Sequence, residues 1–304
     1  MDNRDEVRDF LRSRRARITP DKAGLPAYGT HRRVPGLRRE EVAMLAGVSI
    51  DYYVRLERGN LAGVSESVLE SVATVLQLDD AERQHLRDLA RAATPSGARP
   101  RRRAAAGPTS VPLSVQAMLD ASTGAPAVVR DDRLDILATN RLGRALYSEL
   151  FTDPGRVANH ARFAFLEPRS REFWIDWERA ADDTVGALRS AAGRDPFDKA
   201  LTALVGELST RSTEFRTRWA THHVHLHTGG VKRIHHPVVG DLELMYDSLQ
   251  IAAAPSLTML VYTAAPGSST ADALQLLASW AATQDQPAAP SPSPVAPERA
   301  ADPS

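Results

Sequence analysis

The sequence predicts two domains of different class, an all-α unit over residues 1–93 and an α+β unit with an antiparallel sheet over residues 111–282. Three observations carry this. Apolar residues recur at helical spacing through the first third of the chain. Segments such as DRLDILATN and GDLELMYDSL alternate with period two in the remainder. Between them TPSGARPRRRAAAGPTSVP (94–112) holds four prolines, two glycines and four arginines, and its stretch over 94–110 reads as a flexible linker. A chain of 304 residues, 42% apolar, is long enough for two ordinary cores.

The helical elements follow in order. Val7, Phe10 and Leu11 form the inner face of a first helix that ends at Thr19-Pro20. Within RREEVAMLAGVSIDYYVRLERG (38–59), Val42, Ala43 and Leu45 point inward from a short helix. Ala46-Gly47 supplies a turn, Val48 fills the corner, and Ser49 caps a second helix anchored by Tyr53 and Leu56. Ser65 opens a further helix with Val68, Leu69, Val72 and Leu76 on one face, and Asp79 with Glu82 forms a capping box for a last one.

The second domain is mixed. Leu242, Leu244 and Tyr246 share a strand face, and the continuous apolar run SLTMLVYTA suits a central strand. Residues 170–209 read as two helices split at Gly193 to Pro196, and a closing helix is expected near 268–281. The tail over 283–304, with six prolines and no aromatic residue, is expected to be disordered.

Composition narrows the chemistry. The absence of cysteine excludes disulfides, thiolate nucleophiles and cysteine-ligated metal. The zero net charge conceals an asymmetry, because residues 10–39 hold nine cations and one acid. Such a local stripe suits a polyanion partner. No apolar run approaches the roughly 18 residues of a membrane-spanning helix and the N-terminus is charged, so a soluble cytoplasmic protein is expected. Neither a G-x-S-x-G elbow, nor H-E-x-x-H, nor a phosphate-binding glycine loop is present, so the chain does not read as an enzyme.

The segment 38–59 has the architecture of a helix-turn-helix, although an α-hairpin in any small bundle can look similar. A second helix set at this steep angle can enter a major groove about 12 Å wide and present its N-terminal side chains to base edges. Here Ser49, Ile50, Asp51, Tyr52 and Arg55 occupy those positions, Arg38 and Arg39 stand where phosphates would pass, and the preceding loop adds His31, Arg32 and Arg33. A single domain of this type reads one half-site, so a homodimer on a roughly palindromic double-stranded DNA operator is expected. With a flexible linker, coupling between the domains would run through dimer geometry.

This region resembles the DNA-binding domain of the Xre family, a lambda-repressor-like five-helix bundle. RRVPGLRREEVAMLAGVSIDYYVRLERG, together with VVRDDRLDILATN, NHARFAFLEPRSREFWIDWE, LSTRSTEFRTRWATHHV and HHPVVGDLELMYDSL, is similar to the MmyB-like group of Xre-type regulators. The resemblance covers roughly residues 5–281. It implies a PAS-like ligand-binding domain after the helix-turn-helix and a transcription regulator that answers a small molecule, with a long-chain fatty acid among the ligands of the group.

Two further constellations bear on the ligand. Phe163, Phe165, Trp174, Trp177 and Trp219 gather near Asn159, Arg162 and His222, and a pocket among them would hold a carboxylate-headed lipid with its head at Arg162. The alternative is core packing with Arg162 bridging to Asp176 or Glu178. Six histidines fall between His222 and His236, and His223, His225 and His227 would share a strand face. No acid lies near those three to orient them, so metal is not expected there. No cofactor is expected beyond such a bound lipid. An enzyme or a purely structural dimerisation domain fused to a DNA-binding domain is the competing reading.

Overall fold

A computed structural model describes residues 3–25, 34–94, 110–221 and 229–284. The cluster His31, Arg32 and Arg33, nearly all of the expected linker and tail, and His222 to His227 lie outside the described residues.

Among the described residues the first unit holds five α-helices: α1 (Asn3–Arg17), α2 (Arg39–Leu45), α3 (Ile50–Glu57), α4 (Glu66–Val75) and α5 (Asp80–Ala93). Val7, Phe10, Leu11, Val42, Tyr53 and Leu56 meet Val72, Leu76, Leu86 and Leu89 in one core. The expected caps form. Ser49 Oγ accepts from the Tyr52 amide and Ser65 Oγ from the Val68 amide, while Asp79 and Glu82 exchange hydrogen bonds reciprocally at the start of α5. Leu45 departs from expectation: it is 38% exposed, because Val42, Ala43 and the C-cap residue Ala46 take the buried face of α2. Glycine is required at position 59, where φ is +93° and a Cβ would stand 2.5 Å from the Arg4 carbonyl oxygen.

The second unit opens with α6 (Leu113–Ala121), β1 (Ala127–Asp131) and β2 (Ile136–Thr139). A helical insert follows: α7 (Arg141–Leu146), α8 (His160–Leu166), α9 (Ser170–Phe173), α10 (Trp177–Arg194), α11 (Lys199–Arg211) and α12 (Thr213–Ala220). The chain ends with β3 (Gly229–His236), β4 (Gly240–Gln250), β5 (Leu257–Thr263) and α13 (Ser269–Gln284). The strands form one antiparallel sheet in the order β2-β1-β5-β4-β3, so the continuous apolar run is indeed the central strand. The expected break near Gly193 to Pro196 is made by Asp198, whose carboxylate accepts from the Ala200 and Leu201 amides and starts α11.

Alternation sorts the side chains between the two faces. Ala127, Val129, Leu257 and Met259 pack under α6. Val128, Leu260, Tyr262, Leu242, Leu244 and Ile234 face the helical insert and α13. A separate cluster of Val185, Leu188, Leu204, Leu208 and Phe215 ties α10, α11 and α12 together. Among the described residues no helix is long and apolar enough to cross a membrane.

The two units touch through α10. Arg189, fully buried, ion-pairs with Glu6 of α1 and donates to the Trp219 carbonyl, and the C-terminal end of α10 packs on α5.

Candidate functional sites

The first site begins with α3. Tyr53 and Leu56 are buried, which turns Ser49, Ile50, Asp51 and Arg55 outward; Ile50 is 53% exposed. Tyr52 is half-buried, and the Arg55 guanidinium lies 4.7 Å from its ring centroid, a cation–π contact that holds Arg55 along the exposed face. Beside α3 an open concavity of roughly 520 Å³ is lined by Arg12, Arg15, Arg38, Arg39, Glu40 and Ile50. Four guanidinium groups against Glu40 and the Glu57 carboxylate that two of them bind leave it a net cationic cradle next to the helix.

Glu57 organises this cradle. Its carboxylate accepts from Arg15 Nε at 2.8 Å and Arg39 Nε at 3.0 Å. Burial alone would raise its pKa, but the hydrogen bonds from Arg15 and Arg39 overcome that and hold it low. Arg38 pairs with Glu40 at 3.4 Å on the surface. Sequence reasoning missed Glu57, although an acid in the last turn of the second helix, with a cationic stretch before the motif, was the signal. Arg32 and Arg33 lie outside the described residues.

The second site differs from the expected pocket. Arg162 donates to Glu207 at 2.9 Å and is 28% exposed, so its charge is already met at the surface by a residue of α11, not by Asp176 or Glu178. Asn159 is an N-cap: its Oδ1 accepts from the Arg162 amide, and its Nδ2 donates to the Arg133 carbonyl and Asp135. The aromatics divide between two cores. Phe163 packs edge-on against Phe173 and Trp174, whereas Phe165 joins Phe215, on which Trp219 stacks. Trp177 donates from Nε1 to the Ala164 carbonyl. His222 lies outside the described residues.

The enclosed space lies between the sheet and α10. A chamber of about 10 Å³, about the size of one water, is lined by Arg130, His160, Trp174, Asp183, Thr184 and Lys232. Arg130 comes from β1 on the face of Val128, and Lys232 comes from β3 on the face of Ile234. Three strand spacings of about 4.8 Å separate β1 from β3, so the two long side chains reach inward from either side over the central strands. Below them Tyr147 and Tyr262 share a 2.6 Å hydrogen bond.

The electrostatics of the chamber follow from its burial. Desolvation, then Arg130, pushes the Lys232 ammonium down to about 7, with Asp183 opposing. Burial, Arg130 and Lys232 together hold His160 well below the ordinary imidazole value, so the ring is neutral. Neither His160 nitrogen nor Trp174 Nε1 has a hydrogen-bond partner among the described residues. No carboxylate stands within ion-pair distance of Arg130 or Lys232 among them. Also among them, no group of three histidine or acidic side chains could hold a metal ion.

Comparison with known families follows this division. Residues 111–277 match the family described as the MmyB-like transcription regulator ligand binding domain, and residues 6–86 match a helix-turn-helix domain. No curated protein matches the chain.

Proposed function

The chain belongs to the MmyB-like transcription regulators, a helix-turn-helix domain joined to a ligand-binding domain, and from that premise we propose how each domain does its work. The N-terminal unit is of Xre type. Its α3 enters the major groove, with Ile50, Asp51, Tyr52 and Arg55 toward base edges and the start of the helix, capped by Ser49, at the groove floor. Arg38 and Arg39 take the flanking phosphates, and Arg32 and Arg33 extend the contact along the backbone.

The observation that carries this reading is the pairing of an exposed α3 N-terminus with the four-arginine cradle beside it. Phosphate contacts fix register while base contacts give sequence, and this surface offers both kinds side by side. A homodimer places two such surfaces about one helical turn apart on a near-palindromic operator in the cytoplasm. The effector of the C-terminal domain is an apolar acid of the fatty-acid kind; what supports it is the aromatic surface of Trp174 and Trp177 next to a cationic chamber.

Selection of bound fragments from random double-stranded DNA tests the proposal. An inverted repeat with half-sites about 10 base pairs apart is expected, bound by two protomers in light scattering. An asymmetric site bound by one protomer would overturn the dimer, and enrichment of no sequence would overturn base reading by α3.

A further inference from the structure

We infer that Arg189 sets the half-site spacing that the protein accepts, because it braces the DNA-binding unit against α10 and so holds α3 in one fixed relation to the C-terminal domain. The inference rests on the reading of the chain as a homodimer on an inverted repeat, and it assigns the residue that makes this dimer selective for spacing.

A flexible connection alone would not select a spacing. A free chain as long as residues 95–109 would spread its ends over roughly 20 Å, about half a turn of DNA. Two half-sites could then be met at many separations. A fixed α3 demands a second, rigid connection, and α10 is in place to make it.

α10 is itself seated in the C-terminal domain. Trp177 and Ala181 pack toward the sheet, while Val185, Leu188 and Ala192 enter the cluster shared with α11 and α12. From this base the Arg189 guanidinium stands 4.2 Å from the Trp219 ring centroid, donates to the Trp219 carbonyl and pairs with Glu6 of α1. Ring and carbonyl both belong to α12, so the C-terminal domain aims the guanidinium before it meets Glu6. Four residues on, Gly193 admits the His85 ring of α5. The apolar core of the first unit and the apolar clusters of the second do not merge, so the contact depends on these few groups. A buried ion pair adds little net stability, but either charge left alone inside is strongly unfavourable, and the pair therefore enforces one register.

The brace leaves the DNA-facing surface open. Glu6 and Arg15 stand roughly two and a half turns apart on α1, hence on opposite sides of that helix. Arg15 lines the cradle beside α3, whereas Glu6 meets Arg189 and Phe10 meets His85. One helix thus carries the phosphate cradle on one side and the brace on the other. Arg189 is a positioning residue, which directs α3 without touching DNA.

The test measures the affinity of the full chain for three duplexes: the selected inverted repeat, the same repeat with about five base pairs added between the half-sites, and one half-site alone. The added pairs turn the second half-site to the opposite side of the duplex. The parent should bind the lengthened repeat an order of magnitude or more weakly. Arg189→Glu and, across the contact, Glu6→Arg should each bind the two repeats within about threefold of one another. Both should keep the parent's affinity for the single half-site, which shows that the DNA-binding unit is folded. The exchange of the two charges, Glu6→Arg with Arg189→Glu, should recover most of the discrimination. A parent indifferent to spacing, single variants that keep its discrimination, or an exchange that recovers none of it would overturn the brace. The dimer fails separately, if light scattering finds one protomer on the repeat, and the brace is then read from a distance. The chain has no cysteine, so Thr74→Cys in α4 and Ser279→Cys in α13 carry the only two spin labels. A narrow distance that broadens in Arg189→Glu supports the brace, whereas a broad one in the parent, or a narrow one that Arg189→Glu leaves unchanged, overturns it.

Discussion

Gly193 near the end of α10 lies against the His85 imidazole of α5, so close that a Cβ on Gly193 would stand 2.5 Å from Nδ1. His85 cannot retreat, because its ring is buried edge-on to Phe10 at 5.1 Å. Nine and ten residues earlier in the chain, the same helix supplies Thr184 and Asp183 to the chamber, and between these and Gly193 stands Arg189, which pairs with Glu6. A flexible linker predicts coupling through dimer geometry alone. The packing of α10 adds a direct contact from the sensor to the DNA-binding unit.

The sign of one substitution reads this contact in solution. In an undocked helix Gly193→Ala would stabilise by roughly 0.5–1 kcal/mol through backbone entropy. Docked against His85, the added methyl forces apart two buried surfaces and should cost about 1–3 kcal/mol. Thermal or urea unfolding of the variant distinguishes the two, and a gain in stability would refute the docked arrangement.

The Arg189 and Glu6 pair predicts a strong coupling across the same contact. Arg189 is fully buried and Glu6 is 7% exposed, so removing either partner leaves the other charge inside the protein. Arg189→Met and Glu6→Gln should each cost about 3–5 kcal/mol. The double variant should cost less than their sum, with an interaction energy of up to about 3 kcal/mol in a double-mutant cycle. Additive losses would mean that the two side chains do not meet in solution.

On the DNA-facing surface two arginines should behave differently. Arg55 leans on Tyr52 along the exposed face of α3, whereas Arg39 is fixed by Glu57 at the edge of the cradle. Arg55→Ala should cost on the order of 1–3 kcal/mol on the preferred operator and relax specificity at one position. Arg39→Ala should weaken all sequences alike and lower the salt slope by about one phosphate contact. Salt titrations that give the same slope and the same loss for both variants would refute the assignment.

Local signals were legible in the sequence; convergence from distant segments was not. The Asp79 and Glu82 box, the Ser49 cap and the inward face of Leu242, Leu244 and Tyr246 are decided within a few residues of chain, so spacing suffices to find them. Arg162 reads as a head-group partner because it neighbours aromatics in sequence, but α8 turns it toward Glu207. The chamber instead joins Arg130 to Lys232, which belong to strands separated by two others in the sheet. Each reads alone as an ordinary strand charge, Arg130 near a strand end and followed by two aspartates, Lys232 in mid-strand and followed by Arg233. Only the sheet order brings them to the same face.

The last prediction concerns Asp131, at the end of β1 beside Arg130. Burial, then the nearby Asp135, pushes its carboxyl up to about 6, while hydrogen bonds from the Asp135 and Arg133 amides oppose the shift. In the unfolded chain the same group titrates near about 4. The folded state therefore binds the proton more tightly than the unfolded state does. The stability gained from the protonated carboxyl is fully present below pH of about 4, and it is lost as the pH rises through about 6. Asp131→Asn keeps an oxygen for both amides and removes the charge, so it should stabilise the protein at pH 7.5 by about 1–3 kcal/mol, on the scale of 1.36 kcal/mol per pKa unit. At pH 4 the same variant should match the parent. Urea unfolding at the two pH values checks this, and an equal gain at both, or a loss at pH 7.5, would place the Asp131 carboxylate in a solvated setting instead.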